Sequence, residues 1–113
     1  MTDVPTPTWY AVRCIFAVNE PADDTEMTYE ERITLWQAPS HEEAIRRAEA
    51  DAEDYAADIA PATYLGLAQS YQLFDAPADG VEVFSLMRDS ALTPSDYLST
   101  YFDTGSERQQ HMP

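Results

Sequence analysis

Ser40-His41-Glu42-Glu43-Ala44-Ile45-Arg46-Arg47-Ala48-Glu49-Ala50-Asp51-Ala52-Glu53-Asp54-Tyr55-Ala56-Ala57-Asp58-Ile59 decides the fold. Ser40 followed three residues later by Glu43 is a capping box, in which each side chain bonds a backbone N–H that the first helical turn leaves free. Ala44, Ile45, Ala48, Ala52, Tyr55, Ala56 and Ile59 recur at helical spacing and form one apolar stripe. Glu42 with Arg46 and Glu43 with Arg47 are favourable pairs four residues apart. Pro61 cannot continue a helix. The spacing predicts one long helix over 41–59 with a single face to bury.

Upstream lies a sheet for it to cover. Trp9-Tyr10-Ala11-Val12-Arg13-Cys14-Ile15-Phe16-Ala17-Val18 is rich in aromatic and β-branched residues and reads as a strand over 9–18. Alternation places Tyr10, Val12, Cys14, Phe16 and Val18 on the core face, with Trp9, Arg13 and Ile15 on the other. A polar turn with Pro21 spans 19–25 and leads to a second strand over 26–37. There Tyr29, Ile33 and Leu35 share the face assigned to the core, and Glu30, Arg32, Thr34 and Trp36 share the opposite one. The short connection predicts an antiparallel hairpin.

Downstream, 64–74 reads as a third strand with Leu65, Leu67, Tyr71 and Leu73 inward. Asp79-Gly80 supplies hairpin turn chemistry, and 81–88 reads as a fourth strand. Thr93-Pro94-Ser95-Asp96 starts a short helix running to about residue 102, which offers Leu98 and Phe102 to the core before Gly105 stops it. The predicted order is β-β-α-β-β-α: an α+β fold with a four-stranded antiparallel sheet and one long helix packed on one face. Residues 1–8 read as a loose arm, 9–104 as one domain and 105–113 as a polar tail.

Composition narrows the function classes. Of 113 residues, 44% are hydrophobic and 12% aromatic, enough for a core. Against 21 acids stand six basic residues, all arginine, for a net charge of −15. Such a field repels phosphate backbones and anionic lipid heads, which argues against nucleic-acid and membrane-surface partners. No apolar run approaches the ~20 residues of a membrane span, and no signal segment opens the chain. The single cysteine, Cys14, has no internal partner, which fits a reducing cytoplasm.

Four segments together resemble a small bacterial domain of unknown function. They are Trp-Tyr-Ala-Val at 9–12, Glu-Glu-Arg-Ile at 30–33, Ser-His-Glu-Glu-Ala-Ile at 40–45 and Asp-Gly-Val-Glu-Val-Phe-Ser at 79–85. Beyond them, Leu-Met-Arg-Asp-Ser at 86–90, Phe-Asp-Thr-Gly-Ser-Glu-Arg-Gln at 102–109 and the absence of lysine look like an actinobacterial branch of it. The resemblance spans Trp9 to Ser85. It implies the α+β fold and brings no catalytic residues and no cofactor.

The residues themselves offer little chemistry. Cys14 falls inside a strand on the core face and reads as a structural thiol. His41 lies in the first helical turn, expected solvent-exposed, and His111 lies in the tail. Asp51, Asp54 and Asp58 share one side of the helix and read as a solvated acidic face. No spacing matches a metal site, and three glycines leave no phosphate-cradling loop, so neither metal nor cofactor is expected. The face opposite the helix carries the stronger signal. Trp9, Arg13, Arg32 and Trp36 are expected there together, and these residue types dominate binding hot spots. Either the terminal helix and tail fold back over them, or they form an interface.

The resulting expectation is a non-enzymatic protein-binding domain, an immunity-type or inhibitory partner of a basic protein. The alternative is a small-molecule-binding or accessory domain that homodimerises through the open sheet face.

Overall fold

A computed structural model of the chain describes residues 8–18 and 27–107. The expected arm before residue 8, the 19–25 turn, the strand start at Glu26 and the tail beyond residue 107 lie outside the described residues. Strands β1 (Thr8–Ala17) and β2 (Tyr29–Ala38) are followed by helix α1 (His41–Asp58), strand β3 (Thr63–Gln72) and helix α2 (Pro94–Tyr101). The sheet has the order β2-β1-β3, with both neighbours antiparallel to the central strand. The fold is therefore α+β with a three-stranded antiparallel sheet and two helices.

Helix α1 forms where its sequence signals place it. Ser40 adopts extended backbone and its hydroxyl accepts the Glu43 N–H at 3.1 Å. The expected pairs four residues apart are replaced by Arg46 on Glu43, one residue nearer, while Arg47 donates to the Gln37 carbonyl at 2.9 Å. Ala44, Ala48, Ala52 and Ala56 are buried against Tyr10, Val12, Cys14 and Phe16 of β1. Alanine carries almost no side chain, so the helix sits close on the sheet, and large rings from neighbouring positions close the core. Phe16, fully buried, stacks edge-on to Tyr55 at 5.2 Å and tilts against Tyr64 at 5.6 Å.

The fourth strand expected over 81–88 is not formed. The turn chemistry at Asp79-Gly80 is present, with Gly80 at φ +80° and the Val81 N–H bonded to the Ala78 carbonyl at 3.1 Å. However, the connection from Gln72 to Val81 far exceeds the two-residue loop that holds a hairpin in register. After Leu73, whose N–H still bonds the Trp9 carbonyl at 2.9 Å, the chain leaves the sheet. It returns as an irregular arm, with Phe84 against Tyr71 and Arg13.

The second correction concerns which side of β2 is buried. Residues directly opposite one another in an antiparallel pair share a face. Tyr10 pairs with Trp36, Val12 with Thr34, Cys14 with Arg32 and Phe16 with Glu30. The β1 members of these pairs lie under α1, so Glu30, Arg32, Thr34 and Trp36 do too. Ile33 and Leu35, expected in the core, are instead 44% and 40% exposed. Leu65 and Leu67 of β3, also expected inward, are 47% and 50% exposed; Tyr71 faces away from α1 opposite Ala11, and Leu73 is buried beside Trp9 but outside the cluster under α1. In β3 the pairing shifts between Cys14 and Phe16, a bulge containing Gly66 at φ +83°. A residue with a Cβ is strained there, and glycine is not.

Candidate functional site: the open sheet face

The α1 side of the sheet is closed by side-chain bonds as well as by packing. Arg32 extends its guanidinium 3.9 Å from the centre of the Tyr55 ring and donates through Nη1 to Asp51 Oδ2 at 2.9 Å. Tyr55 donates to Glu30 Oε1 at 2.7 Å, and Tyr64 to Glu49 Oε2 at 2.6 Å. Burial and the Glu49 bond push the Tyr64 phenol well above its ordinary value; for Tyr55 the Glu30 bond is the main cause of a rise. Trp36 donates through Nε1 to Thr34 Oγ1 at 2.7 Å and lies 5.1 Å under the Arg47 guanidinium. Burial also raises the pKa of Cys14, which keeps its thiol protonated.

The four residues expected to share one binding face are therefore split. Trp9 and Arg13 lie on the face turned away from α1, and Arg32 and Trp36 lie beneath α1. Arg13 sits near the middle of the open face. It donates through Nε to Gln69 Oε1 at 2.9 Å, reaches Glu31 at 3.4 Å and lies 5.0 Å from the Phe84 ring centre. Tyr71 stacks on Phe84 at 5.9 Å and donates its hydroxyl to Glu82. Around this ordered centre Ile33, Leu35, Leu65 and Leu67 stay half exposed. They are the site residues that sequence alternation misplaced. The available signal was the charge on α1, whose seven acids give Arg32 a partner only if Arg32 faces the helix.

Other candidates resolve simply. His41 is exposed at the start of α1; its Nδ1 is 2.8 Å from Ser70 Oγ and its ring packs edge-on to Tyr10 at 4.7 Å. Asp54 and Asp58 are exposed, whereas Asp51 is held by Arg32. Among the described residues, no group of three or more histidine, cysteine, aspartate or glutamate side chains could hold a metal ion. No described helix is long and apolar enough to cross a membrane. Between the arm and the sheet lies a broad cleft of about 1710 Å³, walled by Tyr29 and Arg13 on one side and by Phe84, Leu86, Tyr101 and Phe102 on the other.

These features define a class: an acidic helix-on-sheet α+β domain whose second sheet face is apolar and only partly covered. The chain belongs to the family described as Domain of unknown function (DUF4288), whose pattern matches residues 9–85. That span runs from β1 to the Phe84 contact, and α2 lies beyond it. Comparison with curated proteins and with solved structures finds no match.

Proposed function

We propose that this chain is a non-catalytic protein-binding domain whose docking surface is the sheet face turned away from α1. The observation that carries the reading is that Ile33 and Leu35 on β2 and Leu65 and Leu67 on β3 are each 40–50% exposed on the side turned away from α1. Large apolar side chains left exposed on one face mark a place where another surface sits. The bonds around Arg13 hold the arginine of that face, a residue type enriched at interfaces, in a fixed position.

Two specific observations bear on the partner. The net charge of −15 favours a basic protein, which this domain would occlude in the manner of an inhibitor or immunity-type protein. The unpacked α2 favours self-association. The surface itself is tested by placing a photo-crosslinking amino acid at position 35 or 67, and at position 53 on α1 as a control. Covalent adducts from 35 and 67 but not from 53 are expected. Adducts confined to 53, or none at all, refute the docking face.

A further inference from the structure

Resting on that docking-face reading, we propose that its occupant is a second copy of this chain. Two copies exchange C-terminal arms, and each α2 packs on the other's open sheet face.

Helix α2 poses the problem that the exchange solves. Its start is well built: Pro94 occupies the first turn, and the Thr93 hydroxyl accepts the Asp96 N–H at 3.2 Å. It is nevertheless only eight residues long, and isolated helices below about 12–15 residues are marginal in water. Packing must hold it, yet no Cα of α2 comes within 8 Å of another described helix or strand. Among the described residues its ring contacts are with its own arm: Tyr97 against Tyr101 at 4.8 Å, and Arg88 over Tyr101 at 4.2 Å. Leu98, Tyr101 and Phe102, of which Leu98 and Phe102 were expected to enter the core, are 56%, 44% and 57% exposed.

The same chain therefore carries an apolar helix set apart from the sheet and an apolar sheet face that its own arm covers only in part, and each can cover the other. Reciprocal burial of the four sheet residues with Leu98, Tyr101, Phe102, Val83 and Leu86 would hide on the order of 800 Å² per copy, the area of a standard stable interface. Residues 85–92 have no regular structure and can span about 26 Å, so the arm can reach across. The seven acids of α1 lie on the far side of the sheet, whereas Glu31, Glu82, Asp96 and Asp103 lie on the joining surfaces and make the association salt-dependent. The two copies would be related by a two-fold axis, with the same contact made twice.

Sedimentation equilibrium on the full chain, from low micromolar to about 100 µM, tests the exchange. The expected mass is twice 12.7 kDa. Association should tighten between about 50 and 300 mM sodium chloride, because salt screens the repulsion between two acidic chains. Leu98→Asp combined with Phe102→Asp should raise the dissociation constant at least ~100-fold, as should Leu67→Asp, with far-UV circular dichroism confirming folded sheets. Mixing the arm variant with the face variant should restore a heterodimer through the one intact contact.

A dimer that ignores the arm variant but dissociates with Leu67→Asp overturns the exchange and keeps the docking face. A dimer indifferent to both overturns both readings. A wild-type monomer at the highest concentration overturns the exchange, and if position 35 or 67 then crosslinks to a different protein, the docking face stands with another occupant.

Discussion

Arg32→Ala should destabilise this protein more than Ile33→Ala, the reverse of what hydrophobic alternation along β2 suggests. Arg32 makes a 2.9 Å bond to Asp51, with side chains 30% and 39% exposed, so the ion pair is worth about 0.5–1 kcal/mol. The guanidinium lies 3.9 Å over the Tyr55 ring, a cation–π contact worth roughly 1 kcal/mol in a partly desolvated setting. Losing the aliphatic stem from beneath α1 adds about 0.5–1 kcal/mol. The total is ~2–3 kcal/mol. For a domain near 100 residues this lowers Tm by on the order of 10–15 °C. Ile33 is 44% exposed on the outer face, and its truncation should cost the monomer ~1 kcal/mol or less. Urea unfolding followed by far-UV circular dichroism reads both values without interference from association when both substitutions are made in the Leu98→Asp, Phe102→Asp background. Arg32→Asp combined with Asp51→Arg should recover at least half of the loss. If Ile33→Ala costs more than Arg32→Ala, then Ile33 rather than Arg32 lies beneath α1, and β2 faces the opposite way.

Phe16→Ala, at a fully buried site between Tyr55 and Tyr64, should cost ~3–5 kcal/mol in the same urea assay; a loss under ~1 kcal/mol would mean the core is not centred there. Tyr64 and Tyr55 are raised above their ordinary value of 10.0, so the folded state keeps protons that the unfolded state releases. Stability is then fully present below about pH 10 and falls as pH rises above it, and Tyr64→Phe should flatten that fall. With −15 net charge, Tm should rise from low to moderate sodium chloride as self-repulsion is screened. A flat or falling Tm would show that pairs such as Arg32–Asp51 outweigh the repulsion.

Local signals in the sequence were sufficient for the elements whose physics is local. The bounds of α1 follow from the Ser40 cap and from Ile59 and Pro61 at its end. The burial of Tyr10, Val12, Cys14 and Phe16 follows from one strand having one clearly apolar side, and the family resemblance over Trp9 to Ser85 coincides with the matched span. Strand β2 had no such clear side. Tyr29, Ile33 and Leu35 alternate with Arg32, Thr34 and Trp36, and either set can be buried, because tryptophan and the arginine stem bury well when the charged end finds a partner.

Only the pairing of Cys14 with Arg32, and the presence of Asp51 on the helix above, chose between the two faces. That choice moved Arg32 and Trp36 out of the candidate site and brought Ile33 and Leu35 into it. The fate of 81–88 was decided the same way. Its residues suit a strand, but a strand exists only where a neighbouring edge accepts its backbone bonds. The long connection after Gln72 instead carried Phe84 to Tyr71 and Arg13. Turns, caps and periodicity act within a few residues and can be read directly, whereas register and coverage are agreements between distant segments that exist only in the folded chain.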